Sequence, residues 1–161
     1  METLGITTMA MVPFISRFRT LGLRETRSVT VWGSPELPDG EYGFIELYCD
    51  EIDCDCQRVL INVVTPTTGD KVWATINYGW EDASFYEQWM HDKELGQAST
   101  GIALDPLNPQ TVYSPALLDQ FRFLIQDPAY VARLQRHYQL FKASLEKPPT
   151  RGRYSKRRSR R

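Results

Sequence analysis

The chain of 161 residues lacks any apolar run close to the ~20 residues that span a bilayer, which excludes a transmembrane helix and predicts no membrane partner. It also lacks a secretory signal, because its one early apolar stretch, residues 9–15, is interrupted by Pro13 and has no base before it. We therefore expect a cytoplasmic protein, in a compartment where thiols stay reduced. Esterase, phosphate-loop, zinc-protease and dinucleotide motifs are missing too, which favours a non-enzymatic function.

Acidic residues are absent from residues 151–161. The net charge of −1 therefore conceals an uneven distribution of charge along the chain. Residues 151–161 hold seven of the 19 bases, whereas residues 1–150 hold all 20 acids against 12 bases. Polybasic tails bind phosphate backbones without sequence specificity, so we expect contact with RNA or DNA. The alternatives are a solubilising extension or an intramolecular partner for the acidic body. The seven bases are Arg151, Arg153, Lys156, Arg157, Arg158, Arg160 and Arg161.

The composition is that of a folded domain. Hydrophobic residues make up 42% and aromatic residues 12% of the chain, which is enough apolar surface to offset the entropy of ordering. The length fits one domain. We predict an N-terminal segment at 1–27, a single domain at 28–147 and a disordered basic tail at 148–161.

Hydrophobic periodicity predicts an α+β fold, in which a small antiparallel sheet of about four strands is covered by C-terminal helices. Short links between successive strands favour the antiparallel meander. Capping residues before proline, at 114–115 and 127–128, predict the starts of the last two helices. The predicted strands are 28–33, 42–48, 58–64 and 71–78; the predicted helices are 81–91, 115–126 and 128–145; residues 9–23 are a short amphipathic segment and 96–113 a long connection.

The three cysteines of the chain lie within eight residues of one another, as Cys49, Cys54 and Cys56. Cysteines that only pack in a core are more often spread along the sequence than clustered. Zinc takes thiolate and imidazole ligands in a tetrahedral arrangement, and a turn between two strands can bring this C-x4-C-x-C set together. We predict a structural zinc site.

The fourth ligand of such a site must lie elsewhere in the sequence. The chain has two histidines, and the position of His137 beside the apolar stripe of the last helix predicts that it points inward. His91 ends an earlier helix and is less clearly inward. We favour His137 as the ligand, because an inward histidine would attach the last helix to the sheet through the metal. A carboxylate of Asp50, Asp53 or Asp55, or a water molecule, is the alternative.

The cysteine cluster also admits other interpretations. One alternative is three reduced, metal-free thiols, and another is a redox sensor in which two of them, such as Cys49 and Cys54, cycle through a disulfide. A zinc hydrolase would instead leave one metal position open and use a loop aspartate or Glu46 as its base. Arg58 could pair with a loop carboxylate or donate to a metal-bound sulfur.

The residues around the cluster resemble an uncharacterised bacterial family. The shared features are a YC-x4-CDCRRV core at 48–59, a Gly-Trp pair at 79–80 followed by Phe85-Tyr86, and an RHY-x2-F pattern at 136–141. The resemblance covers about residues 30–145 and departs at Gln57, where the family pattern has arginine. It implies no activity, but it places a three-cysteine cluster and a C-terminal histidine in the same proteins.

Overall fold

The computed structural model describes residues 11–145, which form a six-stranded sheet and six α-helices. The α+β class is confirmed. The strands are β1 (Met11–Pro13), β2 (Arg27–Val31), β3 (Gly40–Cys49), β4 (Arg58–Val64), β5 (Ala74–Gly79) and β6 (Gly101–Leu104). The helices are α1 (Phe14–Arg17), α2 (Arg19–Glu25), α3 (Ala83–Met90), α4 (Lys93–Ser99), α5 (Ser114–Leu124) and α6 (Pro128–Leu145).

All neighbouring strands of the sheet are antiparallel, in the order β1-β3-β4-β5-β6. Strand β2 also pairs with β3, so β1 and β2 share one edge of that strand, with α1 and α2 between them in the chain. The prediction of about four strands was therefore too low. Strands β1 and β6 have three and four residues, which is too short for an alternating pattern to reveal them.

The core lies between the sheet and the helices α5 and α6. Strand β3 alternates as a half-buried strand should, with Tyr42, Phe44, Glu46 and Tyr48 buried, and its last residue, Cys49, is buried as well. The ring of Phe44 lies 6.2 Å from that of Phe121 on α5, while Tyr48 packs against Tyr138 and Phe141 of α6. This face therefore fixes α6 against the strand that ends in the first cysteine.

Aspartates open three of the helices. The side chains of Asp82 and Asp92 accept hydrogen bonds from the third residue beyond them, at the starts of α3 and α4. Asp127 accepts from the N–H of Ala129 at 2.9 Å, which confirms the predicted start of α6. Ser114 does not cap α5: it lies inside the helix and its hydroxyl donates to the carbonyl of Trp73 at 3.1 Å.

Two segments of the sequence are more regular than predicted. The stretch 96–113, expected as a connection, contains the end of α4 and all of β6. The stretch 9–23, expected as one amphipathic segment, contains β1, α1 and most of α2, with Phe14 buried in the core. Residues 11–27 thus pack on the same sheet as the rest of the described chain. The predicted tail lies outside the described residues.

Candidate metal site

The three cysteines converge where β3 meets the loop before β4. Cys49 is the last residue of β3, and Cys54 and Cys56 lie in the loop 50–57. Cys49 and Cys56 are fully buried, whereas Cys54 is half-buried. Their Sγ atoms all lie within 4.8 Å of one another, and all three are reduced. The prediction that the cluster forms one group is confirmed.

This spacing is compatible with a metal ion. A Zn–S bond of about 2.3 Å in a tetrahedral site separates neighbouring sulfurs by about 3.8 Å. The observed limit of 4.8 Å requires only a small movement of the side chains. A set of thiol ligands favours zinc and other soft metals over calcium or magnesium. The three cysteines can therefore supply three ligands to one metal ion.

Helix α6 holds the cysteine loop in place. The ammonium group of Lys142 donates to the carbonyl of Glu51 at 2.9 Å, and that carbonyl also accepts from the N–H of Cys54 at 3.2 Å. The hydroxyl of Tyr138 donates to Asp55 at 3.1 Å and accepts from the N–H of Gln57 at 3.2 Å. Two side chains from one helix thus fix both halves of the loop.

Gln57 adopts a left-handed backbone conformation, with φ of 47°, directly after Cys56. Its carbonyl accepts from the hydroxyl of Tyr86 at 2.5 Å, and its side-chain oxygen accepts from the indole N–H of Trp80 at 2.9 Å. Glycine at position 79 makes this possible, because a Cβ there would lie 2.6 Å from the Tyr86 hydroxyl. Gln57 therefore connects the cysteine loop to α3 through Tyr86.

The cysteine thiols differ in acidity. Hydrogen bonds from the side chains of Cys54 and Cys56 lower the pKa of Cys49, which favours its thiolate form. Hydrogen bonds with Cys49 and with Cys56 raise the pKa of Cys54, and the hydrogen bond with Cys49 raises that of Cys56. A metal ion that binds all three as thiolates must displace the protons that these two hold.

His137 is fully buried, as predicted, but it lies away from the cysteine group. Its Nδ1 lies 2.7 Å from Oε1 of Glu46, and its Nε2 lies 3.0 Å from Oε1 of Glu25. The ring of Phe14 stacks on the imidazole at 4.1 Å. Both ring nitrogens are therefore engaged by carboxylates, and the histidine connects α6 to β3 and to α2.

Glu46 and Glu25 change the pKa of His137, and His137 in turn changes the pKa of Glu25. Burial alone lowers the pKa of His137, but the hydrogen bonds and charges of Glu46 and Glu25 outweigh burial and raise it. The hydrogen bond from His137, with help from Arg136, lowers the pKa of Glu25. The hydroxyl of Tyr48 also donates to Glu46, at 2.7 Å. The arrangement is an imidazole between two carboxylates, which favour its protonated form.

The remaining candidate residues fall outside the cysteine group. The guanidinium of Arg58 donates to Asn77 at 2.9 Å, not to a loop carboxylate or a sulfur. His91 is exposed at the end of α3, and Glu46 lies with His137. The roles of Lys142 and Tyr138 were not predicted, since no spacing in the sequence relates α6 to the loop. The seven predicted nucleic-acid-binding bases lie outside the described residues.

None of the helices in residues 11–145 combines the length and apolar character that crossing a bilayer requires. Comparison of the chain with known protein families finds no match. Comparisons with curated proteins and with solved structures likewise find no similar protein. The geometry of the cysteine group is thus the observation on which a functional interpretation depends: three cysteine side chains, close enough to bind one metal ion.

Proposed function

We propose that this chain is a small zinc-binding protein of the binding or accessory type, whose metal is structural and whose basic tail contacts RNA or DNA. The observation that carries the metal assignment is the convergence of three thiol ligands within 4.8 Å. Their burial supports a structural metal, because two of the three side chains are closed off from solvent. The lack of recognised catalytic motifs supports a non-enzymatic function.

For the fourth position we favour a loop carboxylate or a water molecule over His137. Turning the imidazole toward the cysteines would leave Glu46 buried without its partner, and an unpaired buried carboxylate is costly. Asp55 already accepts from Tyr138, so Asp50 and Asp53 are the remaining alternatives among the loop carboxylates. Asparagine substitutions at these two positions, with metal affinity as the readout, distinguish a carboxylate ligand from water.

The first test is the metal content of protein purified without chelator or affinity metal. We expect about one zinc per chain, as in other closed cysteine-rich sites. The variant Cys56→Ser should lose the metal and melt at a markedly lower temperature. Three titratable thiols without metal in the wild-type protein would contradict the proposal and favour thiol redox chemistry.

Because Cys56 is fully buried, its substitution also disturbs packing, and Cys54→Ser is the cleaner variant. Its side chain is half-buried, so in metal-free protein the change should cost little stability. With zinc bound, the same change should remove most of the stabilisation that the metal provides. Equal effects of Cys54→Ser with and without zinc would show that the metal does not stabilise the fold.

The proposal for the tail is tested by deleting residues 150–161. The shortened chain should keep its melting temperature and its metal, and should lose the salt-sensitive part of nucleic-acid binding that the seven bases provide. Unchanged binding after the deletion would contradict a role for the tail.

A further inference from the structure

The positive and negative charges of the folded body are distributed unevenly among its helices and strands. Residues 11–145 contain 11 bases and 18 acids, so the body as a whole is acidic. Seven of the bases nevertheless belong to α1, α2, α6 and the first residue of β2, and those elements contain one acid, Glu25. One of the seven, Lys142, donates to the carbonyl of Glu51 in the cysteine loop, and the other six are arginines. We name these six the basic face: Arg17, Arg19, Arg24, Arg27, Arg133 and Arg136.

Contacts with α6 gather the basic face on one side of the molecule. Helix α2 lies against α6 because Glu25 pairs with Arg136 at 3.0 Å and with Arg133 at 3.6 Å. Helix α1 lies against α6 as well, and the guanidinium of Arg17 is 5.4 Å from the ring of Phe141. Near the N-terminal end of α6, the guanidinium of Arg27 is 5.8 Å from the ring of Tyr130.

The basic face is not neutralised by its own acid. Glu25 contacts Arg133, Arg136 and the imidazole of His137, and Glu46 contacts the other side of that imidazole, so the two arginines share a single carboxylate. Arg19 and Arg24 are exposed on α2 and take part in none of the ion pairs within residues 11–145. An excess of positive charge therefore faces solvent on a body that is otherwise acidic.

From this charge separation we infer that the basic face binds the phosphate backbone of nucleic acid. The inference rests on the proposed nucleic-acid function and extends it from the tail to the folded body. Guanidinium groups match phosphate in geometry and donate two parallel hydrogen bonds, and all six bases of the face are arginines. The acidic remainder of the body repels the backbone, which leaves one side for contact.

The order of the sequence supports the same partner. Helix α6 carries Arg133 and Arg136 and ends at Leu145, and seven bases follow in the sequence between positions 151 and 161. A polybasic segment that follows the helix bearing part of the basic face adds cationic groups for the same phosphate backbone.

The test compares two double variants of the full chain that change net charge equally. Arg19→Glu with Arg24→Glu alters the basic face without touching the Glu25 pairs, while Lys71→Glu with Lys93→Glu alters exposed lysines outside it. Affinity for a labelled DNA duplex of about 20 base pairs, and for a single-stranded RNA of similar length, is measured against salt concentration. Melting temperature and zinc content are recorded for each variant.

We expect the arginine variant to bind about tenfold more weakly, with its salt slope reduced by about two, one for each lost phosphate contact. The lysine variant should retain most of the affinity and the wild-type slope. Equal weakening by both variants, or by neither, overturns the inference and leaves the tail proposal standing. Binding to anionic vesicles but to neither nucleic acid overturns both, while the zinc content tests the metal proposal separately.

Discussion

Replacing His137 tests whether the buried Glu46–His137–Glu25 arrangement stabilises the fold. The variant His137→Leu replaces the imidazole with an apolar side chain of similar size. Glu46, which is only 3% exposed, then loses its charged partner. Removing one partner of a buried pair costs about 3–5 kcal/mol, so the melting temperature should fall by about 10 °C. The assay is urea and thermal unfolding, followed by circular dichroism.

Two further variants make this prediction specific. Glu46→Gln should destabilise the wild-type protein, which loses a charge that His137 requires, but should stabilise the His137→Leu protein, which contains an unpaired carboxylate. His91→Gln, at an exposed position, should change stability by less than about 0.5 kcal/mol. A cost below about 1 kcal/mol for His137→Leu, or the same sign for Glu46→Gln in both backgrounds, would refute the argument.

The dependence of stability on pH follows from the same contacts. The pKa of His137 is raised by folding, so its stabilisation is fully present below its unfolded value of about 6.5 and is lost as pH rises through the folded pKa. The pKa of Glu25 is lowered, so its stabilisation is present above about 4.5 and is lost as pH falls. The difference in stability between wild type and His137→Leu should therefore be largest between these two values.

Two other variants test the packing around the cysteine loop. Gly79→Ala should cost more than about 2 kcal/mol in urea unfolding, because its Cβ would lie 2.1 Å from the carbonyl oxygen of Ser99. Gly43→Ala, whose Cβ would meet nothing closer than 3.7 Å, is the control and should be nearly neutral. Tyr138→Phe removes the hydroxyl that contacts Gln57 and Asp55, so it should cost about 1–2 kcal/mol and weaken metal binding in competition titrations. Unchanged metal affinity in Tyr138→Phe would show that α6 does not order the loop.

The sequence was most informative where a pattern is local. The alternation of β3, the apolar run of β4, the Asp-Pro start of α6 and the clustering of all three cysteines each lie within a short window, and the structure agrees with them. The burial of His137 could also be predicted from the helical stripe. Its partners could not, because Glu25 and Glu46 lie 112 and 91 residues earlier and no periodicity relates them to α6.

The contacts from α6 to the cysteine loop join residues far apart in the chain, and this has a consequence for biosynthesis. Tyr138 is 81 residues beyond Gln57, and Lys142 is 91 residues beyond Glu51. At about 5–20 residues per second, a ribosome needs about 4–16 s to make the first of these intervals. The nascent chain therefore presents three thiols to cellular metals and oxidants for seconds before the helix that orders their loop exists.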